Sequence, residues 1–303
     1  MTRNLGRLRR ASLAAAVLLL AAPPAHAQLL KLAGLVIPSD LQPGRWVSYH
    51  VVLESRNRPP RELTQRLAAV AREGVGEQEG VWVELRTTEG NKSRIERGFF
   101  AHHLGIPQAD RGFRNDVLGI SRYEVLTPEG KLFEYPVGSE TATGGDEDIS
   151  AMSAFEFLPM RAQDRDSLPP DTLRVANKVL PCTVERLWRV GSEPWDDPDT
   201  SFVNRAVMAQ MAWKNPGVPL TGYARLVVEV STQRVPAHET GDPDPRGILS
   251  DSTATSPRIT KGKLVYRSEL RLVDIGKDAV PEITQEPEPG PAEEPSPRTR
   301  VIR

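Results

Sequence analysis

The chain has one cysteine, no surplus of charge and no long apolar run, and each shortage removes a class of protein. Cys182 alone cannot form an internal disulfide, and no Cys/His array has the spacing of a zinc site, so the 303 residues depend on packing for stability. The 39 Lys plus Arg are balanced by 40 Asp plus Glu. Arg outnumbers Lys by 31 to 8, yet the balance leaves no net basic field to attract nucleic acid. The main apolar run, Leu13 to Ala22, is half the ~20 residues that a membrane-crossing helix needs, and no later run reaches that length. Neither a Gly-x-Ser-x-Gly turn nor a Ser-x-x-Lys pair occurs. No cofactor and no metal is expected. What is present, 39% hydrophobic residues and 27 Pro, describes a globular chain that is neither collagenous nor wholly disordered.

The first 27 residues carry Arg3, Arg7, Arg9 and Arg10, then the apolar run, then Pro23, Pro24 and the small-residue end Ala25-His26-Ala27. That order reads as a signal peptide cut after Ala27, which predicts a periplasmic or extracellular protein with no transmembrane segment in the mature chain. No Cys follows the run to take a lipid. Arg9-Arg10 resembles a twin-arginine signal, but Ser12 stands where a bulky apolar residue is expected, which favours the general secretory route. Loss of the four arginines moves the formal charge from −1 to −5.

The remaining 276 residues suit one principal β-rich domain over 28–283. Period-two alternation, which buries one face of a strand and wets the other, dominates. Val47, Tyr49, Val51 and Leu53 oppose Trp46, Ser48 and His50; Val81, Val83 and Leu85 oppose Trp82, Glu84 and Arg86. Leu63 to Ala71 is expected to pair with the second of these. Glu89-Gly90-Asn91 and Pro128-Glu129-Gly130 sit at hairpin spacings, the first before Ser93 to Ala101, the second between Tyr123 to Leu126 and Leu132 to Tyr135. Cys182, Val184, Trp188 and Val190 share a side of a further strand, as do Ala224, Leu226, Val228 and Val230, and Leu264, Tyr266, Leu270 and Leu272. Asp146-Glu147-Asp148 is placed to cap a short helix through Leu158. Ser201 to Trp213 fits both a helical stripe and alternation. Residues 236–260, with four prolines among Asp, Ser and Thr, read as a mobile loop, and 284–303, rich in Pro and Glu, as a disordered tail, since neither has the apolar area to offset ordering.

Single residues invite chemistry, each with a plainer alternative. His102-His103 is a tempting metal pair, but adjacent strand residues point to opposite faces. His50 beside Ser48 suggests a Ser-His couple or merely a polar strand face. Trp195 to Asp199 offers oxygens to Ca²⁺ without the alternating acids, Gly and distal Glu of a calcium loop. Gly74-Val75-Gly76 with Gly80 has the wrong spacing for a nucleotide loop and reads as a turn. Cys182 reads as a small buried hydrophobe unless a His or helix end activates it. Trp82, Trp188 and Trp213 are either pocket-lining ligand-binding residues or strand packing.

The downstream half contains PDTLRVANKVLPCTVERLWRV, then AWKNPGVPLTGYARLVVEV, then SELRLVDIGKDAVPEI, in that order over roughly Pro170 to Ile283. This resembles the later part of uncharacterised exported bacterial proteins similar to the lipoprotein carrier and lipoprotein-sorting superfamily, with Trp213, Val218, Pro219, Leu272, Val273, Asp274 and Gly276 carrying the likeness. The resemblance implies a mainly β fold, a large curved antiparallel sheet forming an open half-barrel with one or two short helices, and it favours a strand over Ser201 to Trp213. It also implies a concave apolar surface that takes a lipid or a lipoprotein. The expected function is a non-catalytic exported protein binding a hydrophobic ligand or an envelope protein. The alternative is an envelope scaffold or secretion-associated subunit with a filled core, and a third reading is a hydrolase. Nothing in the sequence sets the oligomeric state.

Overall fold

The computed structural model describes residues 36, 40–56, 58–74, 79–101, 120–135, 164–193, 202–236, 245–250 and 258–289. Their strands are β1 (Trp46–Ser55), β2 (Arg58–Glu73), β3 (Gly80–Glu89), β4 (Lys92–Ala101), β5 (Ile120–Leu126), β6 (Leu132–Tyr135), β7 (Asp164–Val175), β8 (Lys178–Glu193), β9 (Phe202–Lys214), β10 (Tyr223–Pro236), β11 (Lys263–Gly276) and β12 (Glu288–Pro289). One short helix, α1 (Pro245–Ile248), is present among the described residues. None of these is a helix long and apolar enough to cross a membrane. The helix expected from Asp146 lies outside the described residues.

All twelve strands form one sheet, in the order β12-β6-β5-β4-β3-β2-β1-β11-β10-β9-β8-β7. Every pairing is antiparallel except the two-residue parallel contact of β12 with β6. Two-residue connections join β1 to β2, β3 to β4 and β7 to β8, since antiparallel neighbours need only a tight turn. Glu89 pairs with Lys92, so the β3–β4 loop is Gly90-Asn91, and Gly90 takes a φ of 57° that a side chain would oppose. One long-range pairing joins the halves: β1 lies against β11, with Val51 opposite Leu270 and Tyr49 opposite Leu272. The sheet does not close into a barrel, although β7 returns to touch β11, four places away in the order.

Alternation sets the inner face. Val47, Tyr49, Val51 and Leu53 are buried, and in register with them come Leu63, Gln65 and Leu67 of β2, then Leu85 and Thr87 of β3. The opposite, outer face was expected to be wet, and on β3 it is not: Trp82 and Glu84 are buried along with Val81, Val83 and Leu85. The covering is the chain after β11. Ala279 packs in a cluster with Ala68, Val70, Trp82, Phe99 and Ala101, and Ile283 packs with Ile95 and Leu132. β9 is likewise buried on both faces, Val207, Ala209, Met211 and Trp213 on one, Gln210 and Ala212 on the other. A strand covered on both sides has apolar residues out of phase, which is how a helical stripe came to share the segment.

Two stretches of sparse apolar content are docked where they are described. Leu249 bridges Thr260, and Ile248, Leu249 and Ile259 are buried, because Glu229 of β10 captures the amides of Ile259 and Thr260. Past Ile283, Gln285 donates to the Gly130 carbonyl at 3.1 Å before β12 reaches β6. Polar anchoring supplies here what apolar area does not.

Candidate functional site

At the centre of the inner face Tyr49, Gln65, Leu67, Leu85, Thr221, Tyr223 and Leu270 line a cavity of about 10 Å³. The pairing of β1 with β2 puts Tyr49 opposite Gln65, and that of β1 with β11 brings Leu270 beside them. The Tyr49 hydroxyl lies 2.5 Å from Thr221 Oγ1 and donates to the Tyr223 carbonyl at 2.9 Å. Burial pushes its phenol well above the ordinary tyrosine value.

Beside the cavity the inner face turns polar. Gln65 pairs with Thr87 and Thr87 with Arg94, while Leu85 pairs with Glu96. Gly98 stands opposite Tyr123 and presents no side chain there. Tyr123 reaches along β4, and its hydroxyl donates to Glu96 Oε2 at 2.6 Å. Arg94 Nε approaches the other Glu96 oxygen at 3.4 Å. All five polar side chains are buried, and burial together with Glu96 raises the Tyr123 phenol well above its usual range. The chemistry is that of held protons and paired charge: a neutral phenol donating to a carboxylate that an arginine also faces. Tyr123→Phe removes that donor and leaves Glu96 Oε2 desolvated. It is expected to cost about 1–2 kcal/mol in urea unfolding, and an unchanged midpoint would show that this bond is not formed.

Sequence reasoning passed over Arg94, Glu96 and Tyr123. The signal was available in the hairpin: once Gly90-Asn91 is the turn, Arg94 and Glu96 fall in phase with the apolar Val83 and Leu85 face.

The three tryptophans sit elsewhere. Register puts all of them on the outer face, but Trp82 belongs to the small cluster around Phe99 while Trp188 and Trp213 belong to the main core. Trp82 donates its indole N–H to Glu73 Oε2 at 2.5 Å, and the guanidinium carbons of Arg97 and Arg122 each lie 4.5 Å from its ring centroid. Trp213 donates to Asp171 Oδ2 at 3.0 Å under Arg225. Trp188 carries Arg186 at 5.9 Å. None of the three lines the central cavity.

His50 Nε2 lies 3.2 Å from Glu62 on an exposed part of β1. Cys182 is buried, its thiol pushed up by burial and by Asp171, the reverse of what activates a nucleophile. Gly74 has a φ of 87°, as a turn requires. His102, His103 and Trp195 to Asp199 lie outside the described residues. Among the described residues no group of three or more His, Cys, Asp or Glu side chains is placed to hold a metal.

Outside the cavity, a second carboxylate besides Glu229 holds two consecutive backbone amides. Glu84 on β3 accepts from the backbone amides of Glu282 and Ile283, at 2.9 and 3.2 Å. Burial raises its pKa and prevails over the two amides and Arg97, which lower it, while the Glu282 charge adds to the rise. A raised pKa gives stability that is present below the ordinary glutamate value and is lost as pH rises through the raised one. Glu84→Gln is therefore expected to flatten the fall in urea midpoint with rising pH just above the ordinary carboxylate range. An identical slope in the variant would refute this.

No family model and no curated protein matches the chain. Among solved structures it is similar to a candidate lipoprotein from Parabacteroides distasonis ATCC 8503, at 7% identity and a TM-score of 0.27, covering 78% of this chain and 96% of that one. It is also similar to a DUF1329 family protein from Desulfovibrio piger ATCC 29098, at 8% identity and a TM-score of 0.27, covering 83% of this chain and 91% of that one. Likeness at that level leaves the reading of function to the geometry of this chain.

Proposed function

We propose that the chain is an exported, non-catalytic β-protein of the cell envelope that works by docking other proteins, with its sheet filled by its own side chains. The observation that supports this reading is the central cavity. Its volume of about 10 Å³ suits a single water, whereas small-molecule pockets run to roughly 300–1,000 Å³. Val47, Val51, Leu67, Leu85, Leu226 and Leu270 are all packed out of solvent around it. The leader read in residues 1–27 supports the location. The rival is a lipid or lipoprotein carrier, in which Arg94, Glu96 and Tyr123 orient a headgroup.

Native mass spectrometry of the protein purified from its own envelope, followed by lipid extraction, decides between them. The expected result is a bare chain mass with no stoichiometric lipid. An acyl lipid retained at one per chain, and lost when Val83→Trp enlarges the inner face, would overturn the proposal.

A further inference from the structure

The β1–β2 hairpin ends in a basic finger. β1 and β2 stay paired as far as Ser55 opposite Arg58, whereas β2 and β3 pair only from Thr64 opposite Thr88. The tip therefore stands clear of the β3–β4 turn, and Pro59 and Pro60, whose rings fix φ, stiffen the projecting arm. β11 runs beside it: Arg56 donates its amide to the Val265 carbonyl at 3.1 Å, and Lys263 lies two residues nearer the tip on the same strand. Arg56, Arg58, Lys261 and Lys263 are all exposed there.

Their charge is not cancelled locally. The acids of the adjoining strand ends already face other groups: Glu54 takes Arg267 at 2.9 Å, Glu89 takes Arg61 at 2.5 Å, and Glu62 lies 3.2 Å from His50. Lys261 donates to the Arg246 carbonyl, which leaves its charge in place. Arg56, Arg58 and Lys263 have no ionic partner among the described residues. What is missing beside these cations selects the partner. Protein interfaces close around an apolar core, and the exposed large apolar side chains of the described residues, Val179, Phe202, Val273 and Val280, belong to neither the β1–β2 turn nor the start of β11. Phosphates spread over a lipid surface need only charge. Each Lys or Arg near an anionic leaflet strengthens binding roughly fivefold, and the attraction fades beyond a Debye length of about 10 Å in roughly 0.1 M salt. A projecting tip brings its cations inside that distance while the rest of the chain, acidic on balance, stays back.

We propose that the β1–β2 tip and the start of β11 dock the chain on an anionic phospholipid surface through the headgroup phosphates. This contact is separate from the protein docking above and stands without it. The test spins down the protein, purified from its own envelope, with vesicles of phosphatidylglycerol and phosphatidylcholine in equal parts and with vesicles of phosphatidylcholine alone. Binding is expected to the mixed vesicles only, and to weaken as salt rises. Arg56→Gln with Arg58→Gln should lower it roughly 25-fold, at about fivefold per charge, while Lys178→Gln, an exposed lysine at the β7–β8 turn, leaves it unchanged. Circular dichroism checks that each variant is folded. Should the double variant fail to fold, Lys263→Gln alone decides in its place, with an expected loss of about fivefold. Equal binding to both vesicles, no binding by the wild type, or a folded tip variant that binds as the wild type does would overturn the proposal. So would capture on immobilised polyglutamate without binding to the mixed vesicles, which would assign the tip to an acidic protein.

Discussion

Glu269→Ala is expected to destabilise the protein by about 3–5 kcal/mol, the range for removing one partner from a buried charge cluster. Glu269 is 1% exposed. Its Oε1 accepts from Arg225 Nε at 2.8 Å and Arg271 Nε at 2.6 Å, and its Oε2 accepts from Arg267 Nη2 at 2.7 Å. Burial works against its charge, but Arg271, Arg225 and Arg267 outweigh burial and hold its pKa below the ordinary glutamate value. Without the carboxylate, three guanidiniums crowd one spot on β10 and β11, and Arg267 keeps Glu54 at 2.9 Å. The pH dependence has the opposite sign to that of Glu84. A lowered pKa contributes stability above the ordinary carboxylate range and loses it as pH falls through the lowered value. The wild type should therefore lose stability on acidification more steeply than Glu269→Gln, which keeps one acceptor but no charge. A urea titration in which the Ala variant unfolds within about 0.5 kcal/mol of wild type, the size of an ordinary surface substitution, would show that the cluster is solvated.

The sheet was legible because alternation survives wherever one face alone is buried. Val47 to Leu53 and Cys182 to Val190 give their strands and their core side directly. Turn chemistry at Gly90-Asn91 and at Pro128 to Gly130 fixes two hairpins and hence two registers. What sequence cannot carry is the pairing of β1 with β11, more than two hundred residues apart, since nothing local marks one strand as the neighbour of the other. The same holds for coverage. Trp82 and Glu84 look like a wet face until a distant segment lies across them, and neither its proline nor its acids announce that it will dock.

The site was less legible than the fold for a related reason. Aromatic side chains draw attention as pocket walls, yet each indole here is capped by an arginine, so Trp82, Trp188 and Trp213 serve as platforms for charge. Nothing local marks Arg94 and Glu96 as core residues, because they are charged and follow a hairpin turn. Their burial depends on register with Thr87 and Leu85, and on Tyr123 arriving from β5 to donate to Glu96. Composition argues charged residues outward; only pairing can turn them in.

Glu229→Ala should have an effect as large as the first substitution but a different reach. Glu229 is 0% exposed, and it accepts from the amides of Ile259 at 3.2 Å and Thr260 at 3.0 Å, from Thr260 Oγ1 at 2.5 Å and from Arg258 Nε at 2.9 Å. Each buried donor left without an acceptor costs about 1–3 kcal/mol, so the loss should come to about 3–5 kcal/mol. Much of it is avoidable by local release, because the amides regain water if residues 258–260 lift away. Lifting also breaks the Leu249–Thr260 bridge and the bond from the Lys261 amide to the Ile248 carbonyl, which leaves Ile248 and Leu249 held by their packing in the core. Hydrogen exchange should therefore show the amides of Ser250, Ile259, Thr260 and Lys261 losing protection together while those of β1 and β2 keep theirs. Glu229→Gln retains one acceptor and should fall between the two. If Ile259 and Thr260 stay as protected in the alanine variant as in wild type, the segment is held by its apolar contacts and the carboxylate is not its anchor.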